Sequence, residues 1–231
     1  MRHLTIALLL SLLLNNGAHA DPSSGAEPVD AELALKRLRE GNARFVAGKS
    51  KHPHEKPDWR LSLEAGQHPF AIVVGCSDSR VTPELIFDQG LGDLFVIRVA
   101  GNVVDIDVAA SVEYAADHLG TRLILVMGHT HCGAVTATID HLSDTGGEPA
   151  EVVSLLYRIE PAIIGLPREL PREERIGLAV KRNMKLAVRR LSRVPALRRS
   201  TRAGRVKIVG AIYDMHTGKV EILDDPVMKL E

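Results

Sequence analysis

Four short runs along the chain are apolar at nearly every position instead of at alternate ones: residues 70–75 (FAIVVG), 94–99 (LFVIRV), 122–128 (RLILVMG) and 206–214 (VKIVGAIYD). A strand with one face in water alternates and a strand covered on both faces does not, so these runs predict a parallel sheet buried between helices. Between them the period changes. Residues 105–120 (DIDVAASVEYAADHLG) repeat at helical spacing and stop at Gly120, which makes the second and third runs the arms of a strand-helix-strand crossover. Upstream, residues 30–49 (DAELALKRLREGNARFVAGK) set Ala31, Leu35, Leu38 and Phe45 on one helical face, with Asp30 as its cap and Gly41 as an expected break into two helices. Thr82-Pro83-Glu84 opens a shorter helix. Residues 149–194 carry two more helical patterns separated by GLPRELPREE, residues 47–60 show no period, and Thr217-Gly218 sits at a hairpin turn in the last apolar run. The fold class is therefore α/β: a central, mainly parallel sheet of about four strands with a C-terminal antiparallel hairpin strand, flanked by helices and preceded by an N-terminal helical arm.

Length changes this picture little. At 231 residues and 45% hydrophobic content the chain fits one domain, placed at residues 30–231. The first twenty residues differ in kind: a basic start, an apolar run from Leu4 to Leu14 and an Ala18-His19-Ala20 end read as a signal peptide at 1–20, with a small, polar, flexible leader at 21–29. Export to a periplasm or the outside is the expectation, with no stable membrane anchor, since the apolar core is shorter than the ~20 residues that span a bilayer. Charge is balanced at 29 basic and 29 acidic residues. Residues 181–207 hold eleven Lys and Arg and no acid, but the stretch is amphipathic and has no aromatic residue on which a base could stack, so it reads as a solvated helix face and no nucleic-acid partner is expected.

Cys76 and Cys132 are the two cysteines. In an exported protein they suggest a disulfide, and with it a non-enzymatic, disulfide-stapled binding protein. Their neighbours suggest something else. The first apolar run ends in CSDSR (76–80) and the third in GHTHC (128–132), so in a parallel sheet Cys76, His129 and Cys132 emerge together at the carboxyl edge, where open α/β folds place their sites. Two thiolates and an imidazole are a zinc donor set with a fourth position left open, as in catalytic sites. His131 competes with His129, but as the neighbour of Cys132 its side chain is expected to point elsewhere. Asp78 and Arg80 fit beside such an ion, the carboxylate as a fourth ligand or an orienting group and the guanidinium as its bidentate holder.

Taken together, CSDSR followed by GHTHC resembles the β-class carbonic anhydrases, and ALKRLREGNARFVAGK, DLFVIRVAGNVV, SVEYAADHLG and GAIYDMHTGKVEIL extend the resemblance in order over most of residues 30–224. The resemblance implies one Zn2+ per chain on Cys76, His129 and Cys132, and reversible hydration of carbon dioxide to bicarbonate and a proton by zinc-bound hydroxide, with Asp78 and Arg80 as catalytic dyad. It implies the subclass whose site is ready without activation, because Gln67, Phe95 and Tyr114 match that subclass as substrate-binding residues; Ala100 stands where valine is frequent. It also implies a homodimer or tetramer in which a neighbouring subunit supplies some of these walls. Hydrolysis of carbonyl sulfide or carbon disulfide at the same zinc is the alternative activity. For proton export the sequence singles out no shuttle among its ten histidines; His52 and His54 are candidates, in a segment that reads more readily as surface loop.

Overall fold

The computed structural model describes residues 27–142 and 147–223. The expected signal peptide at 1–20 and residues 21–26 of the expected leader lie outside them; Val29 packs against the core. Five strands, β1 (Ala71–Gly75), β2 (Leu94–Arg98), β3 (Leu123–His129), β4 (Lys207–Tyr213) and β5 (Val220–Leu223), form one sheet in the order β2-β1-β3-β4-β5. The first four are parallel and β5 returns antiparallel on β4, Tyr213 opposite Val220. Every residue of β1 and β3 is buried, the reason these two runs show no alternation, whereas edge strand β2 is only half-buried throughout.

Helices α1 (Ala31–Val46), α2 (Pro57–Ser62), α3 (Pro83–Ile86), α4 (Ile106–His118), α5 (Gly133–His141), α6 (Ala150–Ile159), α7 (Arg172–Arg193) and α8 (Pro195–Arg202) account for the other regular elements apart from short 3₁₀ turns. One face of the sheet packs under α1 through Leu35 and Leu38, the other under α4 and α7 through Val108, Val112, Val180 and Met184. Asp30 caps α1 by accepting from the Glu32 amide at 2.8 Å, and Asp105 caps α4 through the Val108 amide at 3.0 Å. A left-handed Gly120, φ 68°, ends the crossover after α4.

The expected break at Gly41 does not occur, and α1 runs unbroken to Val46. Gly41 serves close packing instead: a Cβ there would stand 1.7 Å from the Phe87 carbonyl oxygen, so only glycine lets α1 approach the end of α3. Beside it, buried Asn42 donates to the carbonyls of Ile86 and Gly218 and accepts from the Val220 amide, which ties the arm to the β4–β5 turn. The unpatterned connection after α1 is also anchored. Asp88, its side chain fully buried and paired with Arg44, accepts the amides of Lys51 and His52 at 2.8 and 3.0 Å. The basic stretch falls on α7 and α8, with Ile176, Val180, Met184, Ala187 and Leu191 buried and most of its Lys and Arg residues on the wetter side.

Candidate metal centre

The parallel register sets the site. Val74 lies beside Val126, so the chain leaving β1 at Cys76 and the end of β3 at His129 reach the same carboxyl edge on adjacent strands. His131, in the left-handed region at φ 55°, turns the chain sharply and brings Cys132 back as the residue that opens α5. The Cys76 and Cys132 sulfurs and a His129 ring nitrogen lie within 4.8 Å of one another, and all three residues are buried. Both cysteines are free thiols, and among the described residues this is the one group of three or more such side chains close enough to hold an ion.

The donors are prepared individually. His129 Nδ1 lies 2.9 Å from the Thr130 carbonyl, a bond only an Nδ1–H can make, which leaves Nε2 as the lone-pair nitrogen. That Nε2 is buried without a hydrogen-bond partner, an arrangement that a metal ion satisfies. The Cys76 thiol is pulled down to about 4, first by a hydrogen bond from Cys132, against the burial that pushes it up, and then by His129 and the amides of Asp78 and Gly101. Cys132 is pushed up in turn, by that hydrogen bond with Cys76 and by burial, while the amides of Val135 and Ala134 in the first turn of α5 favour its thiolate. Two sulfurs this close share one proton until a cation takes its place. The residues present therefore fit zinc.

Beside the sulfurs, Arg80 Nε and Nη2 donate to Asp78 Oδ1 and Oδ2 at 2.9 and 2.7 Å, and the Arg80 amide adds a third bond to Oδ1 at 3.0 Å. The Arg80 guanidinium, outweighing partial burial of the carboxyl, holds Asp78 well below the usual carboxylate range. Asp78 is thus an ionised acceptor at any neutral pH. Arg98, at the end of β2, donates to the Cys76 and Asp78 carbonyls at 2.9 and 2.6 Å and braces the loop that carries both residues.

The substrate residues expected from the sequence do not gather here. Ala100 does, in the turn Ala100–Asn102 whose Gly101 amide reaches Cys76 Sγ at 3.2 Å. Gln67 precedes β1 and is exposed at the opposite edge. Phe95 is level with Ile72, about 13 Å along the strand from Cys76 at about 3.3 Å per residue. Its ring centroid is 6.4 Å from that of Tyr114, which is 48% exposed and meets His118 in turn in a tilted contact at 5.1 Å. His54 is also remote: it stacks on Trp59 at 3.8 Å and meets Asp93 Oδ2 at 2.8 Å just before β2, while exposed His52 precedes it in the same loop. Arg98 and the Gly101 turn were missed because nothing in their local spacing marks them, and the polar Asn183 in the apolar stripe of α7 was the available signal for a third supporting residue.

A sequence profile described as carbonic anhydrase matches residues 71–220. Carbonic anhydrase 2 of Mycobacterium tuberculosis is 41% identical over 196 residues, 83% of this chain and 92% of its own. A carbonic anhydrase of Mycolicibacterium smegmatis is 44% identical over 191 residues, 82% of this chain and 91% of its own. Among solved structures, the β-carbonic anhydrase CcaA superposes with a TM-score of 0.68 at 33% identity over 81% of this chain and 86% of its own. A structure from work on two tetrameric β-carbonic anhydrases of Sordaria macrospora gives 0.65 at 25% identity over 83% of this chain and 97% of its own.

Proposed function

The chain belongs to the β-class carbonic anhydrases, zinc enzymes, and from that premise we propose that it hydrates carbon dioxide reversibly, with Asp78 and Arg80 as its catalytic dyad. The observation that carries the proposal is the convergence of three buried donors, one of them an orphaned imidazole nitrogen, beside a carboxylate held by an arginine. Cys76, His129 and Cys132 would hold the metal, and zinc so bound would supply a water acidified to about pKa 7, a magnitude taken from a three-histidine carbonic anhydrase.

The dyad's part follows from its geometry. Asp78 accepts three hydrogen bonds from Arg80, which leaves about one of its four lone-pair sites free. That site accepts a hydrogen bond from the reacting hydroxyl and so turns an oxygen lone pair toward carbon dioxide. Because Arg80 keeps Asp78 so acidic, the carboxylate orients the proton and does not take it up. With its carboxylate occupied by Arg80, Asp78 would not be free to ligate a metal held by the three donors, which would leave water access to that metal. The reading includes the ready-site subclass and a dimer or larger homo-oligomer: Gln67 and Tyr114 lie too far along their elements to reach the centre of their own subunit, and a solved relative is tetrameric. Export rests on the composition of residues 1–20; N-terminal sequencing of the secreted protein should begin at Asp21, and an uncut Met1 contradicts it.

Metal analysis, thiol titration and steady-state hydration test the site together. The wild type should hold one zinc, and once denatured and chelated, show two titratable thiols. Asp78→Asn should keep the zinc and lose about 10²-fold or more in turnover, whereas Cys76→Ser should lose the metal. An Asp78→Asn enzyme of unchanged turnover removes the dyad from the mechanism, and turnover of carbonyl sulfide without carbon dioxide hydration contradicts the substrate.

A further inference from the structure

The buried residues of α7 are Ile176, Ala179, Val180, Met184, Ala187, Val188, Leu191 and one polar residue, Asn183, which is 3% exposed. A buried amide in such a stripe destabilises the fold unless it is well bonded. Its Nδ2 donates to the Gly101 carbonyl at 2.7 Å, a bond across 82 residues of sequence. Helix α7 comes unusually close at this level, where a Cβ on Gly128 would stand 3.3 Å from the Met184 Cβ.

Asn183 adds an anchor to a turn whose own closure is the Asn102 amide on the Val99 carbonyl at 2.8 Å. Gly101 and Asn102 are both left-handed, φ 64° and 44°, and a Cβ on Gly101 would meet Ile159 Cδ1 at 2.6 Å. In that conformation the Gly101 N–H points at Cys76 Sγ, at 3.2 Å, inside a buried environment. The other backbone donor to this sulfur, the Asp78 amide, is longer at 3.4 Å. Hydrogen bonds to a ligating sulfur withdraw charge from it, orient it and tune the ion it binds.

Resting on the zinc reading above, we propose that Asn183 is a positioning residue for the metal centre: by clamping the Gly101 carbonyl it keeps the Gly101 N–H aimed at the Cys76 sulfur and so sets the donor strength of that thiolate. Without the clamp, a turn containing a non-glycine residue at positive φ relaxes toward ordinary backbone, and the N–H swings away. The sulfur then keeps its weaker amide contact alone: it becomes more electron-rich, which lowers the energy of charge transfer to a metal, but it is no longer held in place for one, and this loss of orientation outweighs the gain in donor strength.

Asn183→Leu tests this against Thr121→Val as a control. Thr121 Oγ1 likewise donates to a buried backbone carbonyl, that of Pro69 at 2.9 Å, but at the opposite edge of the sheet. Both variants should lower the melting temperature. Asn183→Leu alone should weaken zinc binding about 10- to 100-fold in chelator competition, and should shift the sulfur-to-metal charge-transfer band of the cobalt-substituted protein to lower energy. If Asn183→Leu does not fold, Asn183→Ser, too short to span the bond, is read in the same way. Zinc affinity and a cobalt band equal to those of Thr121→Val overturn the proposal while leaving the zinc reading intact. A wild type that binds no zinc overturns both.

Discussion

At the scale of single residues, the centre depends on backbone groups as much as on its three donors. Gly101→Ala places a side chain in the left-handed region against Ile159, at about 1–2 kcal/mol of backbone strain before any clash. The expected outcome is a lower urea midpoint together with reduced zinc content in the purified protein; full zinc occupancy at reduced stability would separate the turn from the metal. Cys76, His129, Cys132, Asp78 and Arg80 were legible because each carries chemistry in its residue type and stands at the end of a buried strand or within five residues beyond it. Gly101 and Asn183 were not, since their part lies in a left-handed peptide and a contact 82 residues away. Asn183 left one trace, a polar residue at a core position of the α7 repeat.

At the scale of elements, α1 and the loop after it are pinned by a charge. Burial pushes the Asp88 carboxyl up, but Arg44 and the Lys51 and His52 amides more than reverse this, and it lies below the usual carboxylate range. A group depressed on folding contributes stability that is complete above its unfolded value of about 3.9 and is lost as pH falls through the folded one. Asp88→Asn leaves Arg44 without its counter-charge, and the expected loss near neutrality is about 3 kcal/mol. In urea titrations the gap between wild type and variant should therefore be constant from pH 7 to about 5 and narrow below about pH 4. A gap that widens with acid contradicts this account of the pair. The sequence showed the strands and the α4 crossover because burial on both faces leaves a continuous apolar run. It misread Gly41, since a glycine in a helix marks either a break or a close approach, and only the Phe87 carbonyl beyond it decides which.

For the whole molecule, one subunit brings together the three donors and, of the expected substrate residues, Ala100, but not Gln67, Phe95 or Tyr114. If Gln67 serves the site of a neighbour, a mixture of Gln67→Ala and Cys76→Ser subunits, each poorly active alone, should regain activity on hybrid formation. The hybrid has one site with both zinc and a donated Gln67, so an equal mixture of dimers should regain about a quarter of the wild-type sites. No regain after subunit exchange, verified by native mass spectrometry, places Gln67 outside the site. The overall α/β order was legible from apolar runs, whereas a dimer or tetramer was expected only from the family resemblance, since a half-buried edge such as β2 and an exposed Tyr114 look alike with or without a partner. The central claim is that this buried Cys-His-Cys centre and its dyad hydrate carbon dioxide, and stopped-flow hydration by the zinc-loaded protein across pH tests it most directly. The account expects zinc-dependent hydration that rises through a single titration near pH 7 and is lost on chelation. Protein with one zinc per chain and no hydration above the buffer rate at any pH would contradict it.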